Sequence, residues 1–272
     1  MERRGGGAVR VGLLLLLVLL CGSCSHEQVL TVCADPNNLP FSNRAGEGFE
    51  NRLAAMIARE RHARLDYVWW AQRRGYVRNT LNARKCDLWP GVASTVDMLA
   101  TSRPYYRSSY VFVTRARDNL HGLNLDDPRL RRLRLGVQLV GDDGSNSPPA
   151  HALASRSIVA NVRGYMLYGD YGRPNPSAAI VEAVATGEID VGLVWGPLAG
   201  YFARRAPVPL RIEPVTPWLD ETHLPMVYDI SVGVRRGNLA LLREVDAILA
   251  AHRAEIRALL QRYGVPLVNQ DG

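Results

Sequence analysis

An aspartate directly follows a short apolar run in the segment VCADPNNLPFSN at 32–43. A carboxylate at a strand end could act as a catalytic acid, bind a metal or form part of a cleft. The sequence predicts no second carboxylate or histidine opposite Asp35, which disfavours catalysis. An Asp-Pro pair is typical of a turn whose carboxylate accepts hydrogen bonds from nearby amides. We therefore interpret Asp35, Asn37, Asn38 and Phe41 as the lip of a cleft.

A second polar stretch, GDDGSNSPP at 141–149, could resemble a calcium loop. It lacks the alternating oxygen ligands and the distal glutamate of such loops. The six histidines are scattered without a metal-binding spacing such as HExxH. We predict neither a metal nor a cofactor, and assign Asp142 and Ser145 to a polar lip.

Aromatic and basic side chains supply further candidates. Trp195 ends an apolar run and precedes Gly-Pro, where it could line a cleft, stack on a planar ligand or fill space. Tyr106 belongs to an aromatic group expected near it. Arg73 and Arg74 are expected at a solvated helix end; the functional alternative, which places them at the cleft, is a basic rim for an acidic cofactor or partner.

The first 25 residues carry a basic, an apolar and a small-residue segment in that order. This order predicts a secretory signal peptide over 1–25, and the apolar run is too short to span a membrane. We favour ordinary cleavage before His26. A lipid anchor at Cys24 is the alternative, because Gly22-Ser23 precedes it as in an imperfect lipobox. We expect an exported protein without a transmembrane segment in the mature chain.

Two cysteines follow the signal segment, Cys33 and Cys86. Two thiols in an exported chain favour a disulfide, and two separate buried thiols are the alternative.

The formal net charge is +7, or +5 once the three arginines and one glutamate of 1–25 are removed. The densest basic run, at 129–135, is short and interleaved with leucines. It predicts a solvated edge rather than a nucleic-acid surface. An acidic protein partner remains compatible with the charge.

Predicted strands and helices alternate along the chain. Apolar runs at 29–34, 65–70 and 86–92 predict strands separated by two helices, one at 49–60 and one at 74–85. Such a unit favours a parallel sheet.

A second unit begins near 134, with a later helix opened by Asn175 and Pro176. Apolar periodicity predicts one long final helix from Leu239 to Tyr263.

Extended segments joining the two units predict an α/β protein of two lobes with a cleft between them. Ligand sites in such sheets lie beyond the carboxyl ends of the strands, where the candidate loops would converge. We place lobe 1 at 26–113 plus 228–272 and lobe 2 at 114–227.

Five segments along the chain carry a resemblance to a known family: VCADPNNLPFSN, GEGFENRLA, QRRGYVRNTLNARKCD, RPYYRSSYVFV and GEIDVGLVWGPLAGYFA. With them, residues 29–267 resemble bacterial periplasmic solute-binding proteins of the polar amino-acid type, extracellular solute-binding protein family 3. Within that family they resemble the quinoprotein-dehydrogenase-associated proteins of the MxaJ/XoxJ type. The resemblance implies a type II periplasmic-binding-protein fold, a mostly parallel sheet in each lobe and a protein that is not an enzyme. It also implies a partner, a pyrroloquinoline-quinone-dependent methanol dehydrogenase, assisted in maturation, activation or cofactor loading.

The sequence departs from the amino-acid-binding pattern at both charged anchors. The family's carboxylate-binding arginine in T-x-x-R is matched by Thr95 to Met98, and its ammonium-binding aspartate by Trp195. A displaced Arg103, or Arg73 and Arg74, could compensate; otherwise a bound zwitterion would lose several kcal/mol on desolvation. We therefore expect no ordinary amino-acid ligand. The alternatives are an ABC-importer receptor for a small non-amino-acid ligand and, more weakly, a dehydratase-like enzyme using Asp35.

Overall fold

The computed structural model describes residues 27–139, 146–167, 171–221 and 223–269. The predicted signal segment and the candidates Asp142 and Ser145 lie outside these ranges. The strands are β1 (Val29–Ala34), β2 (Asn37–Asn38), β3 (Ser42–Asn43), β4 (Arg64–Trp69), β5 (Leu88–Ala93), β6 (Ala100–Thr101), β7 (Tyr106–Arg115), β8 (Leu135–Leu139), β9 (Val162–Met166), β10 (Val191–Trp195), β11 (Leu210–Pro214) and β12 (Val227–Val234). The helices are α1 (Phe49–Glu60), α2 (Tyr76–Asn79), α3 (Pro148–Ser155), α4 (Ala179–Thr186), α5 (Gly196–Ala203), α6 (Leu239–Ala251) and α7 (Arg253–Arg262).

One large sheet runs through the molecule in the order β4-β1-β5-β12-β7-β10-β8-β9, with β11 beside β7 and β6 beside β12. At one end β1 pairs in parallel with β4 and β5, and at the other β8 pairs in parallel with β9 and β10. The long strands β7 and β12 pair antiparallel with each other; β7 also pairs antiparallel with β10, and β12 with β5. Two parallel groups are thus joined by two crossing strands, in agreement with the predicted α/β class.

Each half of the sheet has its own apolar core. In the first, α1, α6 and α7 bury residues such as Phe49, Leu53 and Val245 against β1, β5 and β12. In the second, alternate residues of β7 face opposite sides, so Phe112 and Val113 enter different clusters. The lobe boundaries given above remain predictions.

Helix α1 has the bounds that its periodicity predicts. Its first amides donate to the preceding loop, Phe49 N–H to the Pro40 carbonyl at 2.8 Å and Glu50 N–H to the Phe41 carbonyl at 2.9 Å. Gly48 is required at this junction, because a Cβ there would overlap the Phe41 carbonyl. The loop after β1 is thereby fixed on the start of α1.

The predicted long final helix is two helices, α6 and α7, that meet at His252. His252 leaves the helical conformation, with φ −102° and ψ 18°. The change of direction lets both helices pack against α1, which one straight helix would not achieve.

The predicted disulfide between Cys33 and Cys86 is confirmed, with a Cα–Cα distance of 5.6 Å. It links β1 to the residues just before β5, and both cysteines are buried among apolar side chains. Among the helices in the described ranges, none combines the length and apolar character needed to cross a membrane.

A cluster of ion pairs around Asp190, with Arg115 buried and Arg134 exposed, joins the strands of the second half. The Arg115 guanidinium donates to the Val184 and Ile189 carbonyls at 2.7 and 2.9 Å and to Asp190 at 3.2 Å. Arg134 donates to both Asp190 oxygens, at 2.6 and 3.1 Å. The Arg134 hydrogen bonds are the main cause that lowers the pKa of Asp190 to about 2.

Asp190→Asn is expected to destabilise the protein at neutral pH but not in strong acid. The folded-state pKa lies below the unfolded value of 3.8, so the stabilisation is present above that value and lost as pH falls toward 2. Urea unfolding at pH 7 should show a loss of about 1–2 kcal/mol, reduced by the exposure of Arg134. Asp97→Asn, at an exposed surface position, is the control. An equal loss at pH 7 and pH 2 would contradict the electrostatic origin.

Candidate binding cleft

A cavity of about 250 Å³ lies between the two halves of the sheet. Its described lining contains no arginine, lysine or histidine. The apolar and aromatic lining side chains are Phe41, Tyr106, Tyr110, Leu167, Trp195, Leu198, Tyr228 and Ile230, and the polar ones are Asn38, Glu50 and Gln72.

Four of the sequence-predicted residues meet at this cavity: Asn38, Phe41, Tyr106 and Trp195. Asn38 donates to the side-chain oxygen of Gln72 at 3.0 Å, which closes the polar side of the cavity. The strand-end loops therefore converge as the α/β topology predicts.

Other predicted residues lie away from the cavity. Arg73, Arg74 and Thr95 are exposed on the surface and do not line it. Arg103 lines a separate cavity of about 320 Å³ beside α6 and α7. Met98, at the position of the family's carboxylate-binding arginine, is 60% exposed and also lies outside the lining.

Asp35 is fully buried just behind the lip. Its Oδ1 accepts a hydrogen bond from the Asn37 amide at 2.9 Å, and its Oδ2 accepts from the Gln72 amide at 2.8 Å and the Tyr171 hydroxyl at 2.9 Å. Burial raises the pKa of Asp35, and these three hydrogen bonds oppose the rise. Because both oxygens are engaged, the carboxylate organises the turn and offers no free base.

The loop after β1 is bonded directly to the segment 171–177 that precedes α4. Asn37 donates to the Arg173 carbonyl at 2.8 Å and accepts from the Asn175 amide at 3.3 Å, while Ser177 donates to the Leu39 carbonyl at 3.2 Å. With the Tyr171–Asp35 bond, these contacts close one side of the cleft.

The predicted helix start at Asn175 is wrong in detail. Asn175 has a left-handed φ of 50° and makes no capping bond with its side chain, a 3₁₀ turn follows it, and α4 begins at Ala179. The Asn175 amide donates to Asn37, while its carbonyl accepts from the Ala178 amide at 2.9 Å, so its backbone joins the lip to the 3₁₀ turn.

Three aromatic rings form one wall of the cavity. Trp195 ends β10, and its amide donates to the Gln138 side chain at 2.7 Å. The Trp195 ring lies 5.3 Å from Tyr110 at 61° and 5.9 Å from Tyr228 at 75°. Rings at such steep angles present faces and edges to one space rather than stacking. Trp195 is half-buried, as a cleft-lining residue should be.

The sequence reasoning missed Glu50, which is only 3% exposed and lines the cavity from the first turn of α1. Its Oε2 has no hydrogen-bond partner among the described residues. Burial, with a smaller contribution from the negative charge of Asp35, raises the pKa of Glu50 to about 8. Gly91 lies against this carboxyl group, and a Cβ there would overlap it.

A sequence signal for Glu50 was available. Positions 50, 53, 54 and 57 share one helical face, and the other three carry buried Leu53, Ala54 and Ile57. An acidic residue on that apolar face indicates a buried carboxyl group. The described residues contain no group of three or more His, Cys, Asp or Glu placed to hold a metal ion.

No protein-family model matches the chain. Protein MoxJ from Methylorubrum extorquens is 33% identical over 248 residues, covering 88% of this chain and 81% of that protein. The crystal structure of the periplasmic binding protein XoxJ from Methylobacterium extorquens AM1 is 34% identical, with a TM-score of 0.72 over 89% of this chain and 100% of that one. The crystal structure of MxaJ from Methlophaga aminisulfidivorans MPT is 26% identical, with a TM-score of 0.74 over 88% of this chain and 100% of that one.

These similarities extend over nearly the whole chain, so they confirm both the predicted resemblance and the predicted fold. They also confirm the expectation of a binding protein rather than an enzyme. The chain belongs to the family of MoxJ, XoxJ and MxaJ, proteins with the fold of periplasmic binding proteins.

Proposed function

We propose that this protein is a periplasmic accessory protein that binds a quinoprotein methanol dehydrogenase through the cleft and assists its maturation, activation or cofactor loading. Membership of the MoxJ, XoxJ and MxaJ family supports a periplasmic role associated with methanol dehydrogenase. The observation that carries the proposal is the cavity itself, whose described lining is aromatic and lacks any cationic side chain.

An amino-acid receptor needs a cation for the ligand carboxylate, usually a bidentate arginine. Here Met98 stands at that position, outside the cavity, and Trp195 stands where the ammonium partner would be. A zwitterion in this cavity would leave its carboxylate desolvated and unpaired. The cleft is thus suited to something other than a free amino acid.

Half-buried tryptophan and tyrosine side chains are typical of the energetic centre of protein interfaces. Trp195, Tyr110 and Tyr228 form such a group at the cleft. Within the described residues, four hydrogen bonds join Asp35–Leu39 to the segment 171–177. Such a lip can open by hinge motion to admit a segment of the partner.

Trp195→Ala is expected to weaken dehydrogenase binding by about 30-fold, the effect of removing a central aromatic anchor. The mature protein is first used to capture partners from periplasmic extract, and a captured quinoprotein dehydrogenase is identified by mass spectrometry. The purified pair is then titrated by calorimetry. Trp70→Ala is the matched control, because Trp70 is exposed outside the cleft with the Lys85 ammonium 5.1 Å from its ring centroid.

Unchanged binding by the Trp195 variant would show that the dehydrogenase does not use the cleft. Failure to capture any dehydrogenase, with a tightly bound small molecule in the purified protein, would favour the ABC-importer receptor instead.

A further inference from the structure

We propose that the cleft recognises an alkylammonium group, placed between the Glu50 carboxylate and the rings of Trp195, Tyr110 and Tyr228. This inference concerns the chemical group that occupies the cavity. It does not depend on whether the group belongs to a dehydrogenase.

The charge of the cavity is the first argument. Glu50 is the one acidic side chain in the described lining, which has no basic residue to neutralise it. Its Oε2 is buried and lacks a hydrogen-bond partner within the described structure. Such an unmade hydrogen bond is costly, and a ligand that supplies a positive charge would compensate for it.

The aromatic wall is the second argument. A cation within about 6 Å of a ring centroid is attracted to the ring face, and quaternary ammonium ligands are bound in cages of such rings. The centroids of Tyr110 and Tyr228 lie 6.5 Å apart at an interplanar angle of 75°, and each ring also contacts Trp195. Phe41 and Tyr106 are the other aromatic side chains that line the cavity.

The size of the space is the third argument. A cavity of about 250 Å³ is smaller than the ~300–1,000 Å³ typical of sites for drug-sized ligands. It therefore suits a compact head group rather than a large planar cofactor.

Two sources can supply this group: a free quaternary amine, or a lysine side chain of a bound protein. Choline and N-acetyl-lysine methylamide are the probes for the two sources. The neutral isostere of choline, 3,3-dimethylbutan-1-ol, has the same shape without the charge.

Isothermal titration of the full mature chain should show at least one of the two cationic probes binding. If choline binds, it should bind about 30-fold more tightly than its isostere. Glu50→Gln should reduce that preference to the part that the rings supply, and Trp195→Leu should weaken binding of the cationic probe about tenfold. Trp70→Leu is the control outside the cleft. Because Trp195 is half-buried, its variant tests the site even if the Glu50 variant folds poorly.

The pH dependence is a second readout. A cation of fixed charge binds the deprotonated Glu50, so choline affinity should rise about tenfold per pH unit up to about pH 8 and then level off. The other titratable groups that interact with Glu50 are Asp35, Tyr67, Tyr105 and Tyr106. Burial raises the pKa of Tyr67, Tyr105 and Tyr106 above their usual value of 10.0, so they stay neutral in this experiment, and burial raises the pKa of Asp35 as well.

Binding of choline supports a free amine as the source, and binding of the lysine probe alone supports a protein lysine. Binding of neither probe overturns the proposal, as does equal affinity for choline and its isostere. A preference for choline over its isostere that is as large in Glu50→Gln as in the wild type also overturns it. None of these results depends on the dehydrogenase titration, so the two proposals can fail separately.

Discussion

Reduction of the Cys33–Cys86 disulfide is expected to lower the free energy of unfolding by about 4 kcal/mol in the chain-entropy model. The bond joins residues 53 positions apart, so it removes many conformations from the unfolded chain. It also ties β1, a central strand of the first half, to the start of β5. Urea unfolding with and without a phosphine reductant measures this effect directly.

The Cys33→Ala, Cys86→Ala double variant is the control for this experiment. Its own stability is lower because both buried side chains are truncated, but it should not respond to the reductant. A wild-type protein whose unfolding midpoint is unchanged by reduction would show that the cross-link contributes little.

The sequence predicts those elements whose apolar pattern is local and strong. Strand β1 and helix α1 have their predicted bounds, because each is a continuous or periodic apolar segment bounded by turn residues. The alternation of such segments also predicts the parallel pairing of β1 with β4 and β5. The disulfide is predictable because the mature chain has two cysteines and is expected to be exported, so no knowledge of neighbouring residues is needed.

The prediction of the second helix fails because side chains there form hydrogen bonds with the backbone. The predicted helix at 74–85 is only the four-residue α2. The Thr80 hydroxyl donates to the Tyr76 carbonyl at 2.6 Å, and the Asn79 side chain donates to the Gly75 carbonyl at 2.9 Å. Side chains of this type compete with helical hydrogen bonds, so the chain turns instead of continuing the helix.

The candidate site is predictable only in part. Trp195 and Asn38 lie at strand ends and line the cavity, a convergence that the α/β topology alone predicts. Arg73 and Arg74 are exposed, in agreement with the solvated position that the sequence predicts and not with its alternative at the cleft. The position of Glu50 in the cavity lining depends on which face of α1 meets the cleft, and that is set by tertiary packing.

Glu50→Gln is expected to remove a pH dependence of stability between pH 5 and pH 8. Glu50 has a folded-state pKa of about 8, against the ordinary glutamate value of 4.5 in the unfolded chain. The folded state therefore holds a proton that the unfolded state releases, and stability falls as pH rises between these values. This one group should lower the free energy of unfolding of the wild type by about 3 kcal/mol from pH 5 to pH 8.

Urea unfolding of wild type and variant at several pH values measures the difference between them, in which other titrating groups cancel. Glu182→Gln is the matched control, an exposed glutamate in the first turn of α4 as Glu50 is in the first turn of α1. A constant difference between wild type and Glu50→Gln from pH 5 to pH 8 would show that the carboxyl group is not buried as described.

The same linkage connects stability to the cleft. A cation bound beside Glu50 favours the charged carboxylate, so it lowers the pKa that burial has raised. If choline is a probe that binds, ten millimolar choline, used as a test concentration, should therefore stabilise the wild type more at pH 8 than at pH 6, whereas its effect on Glu50→Gln should not change with pH. An equal increase in the unfolding midpoint for both proteins would mean that choline acts elsewhere than at this carboxylate.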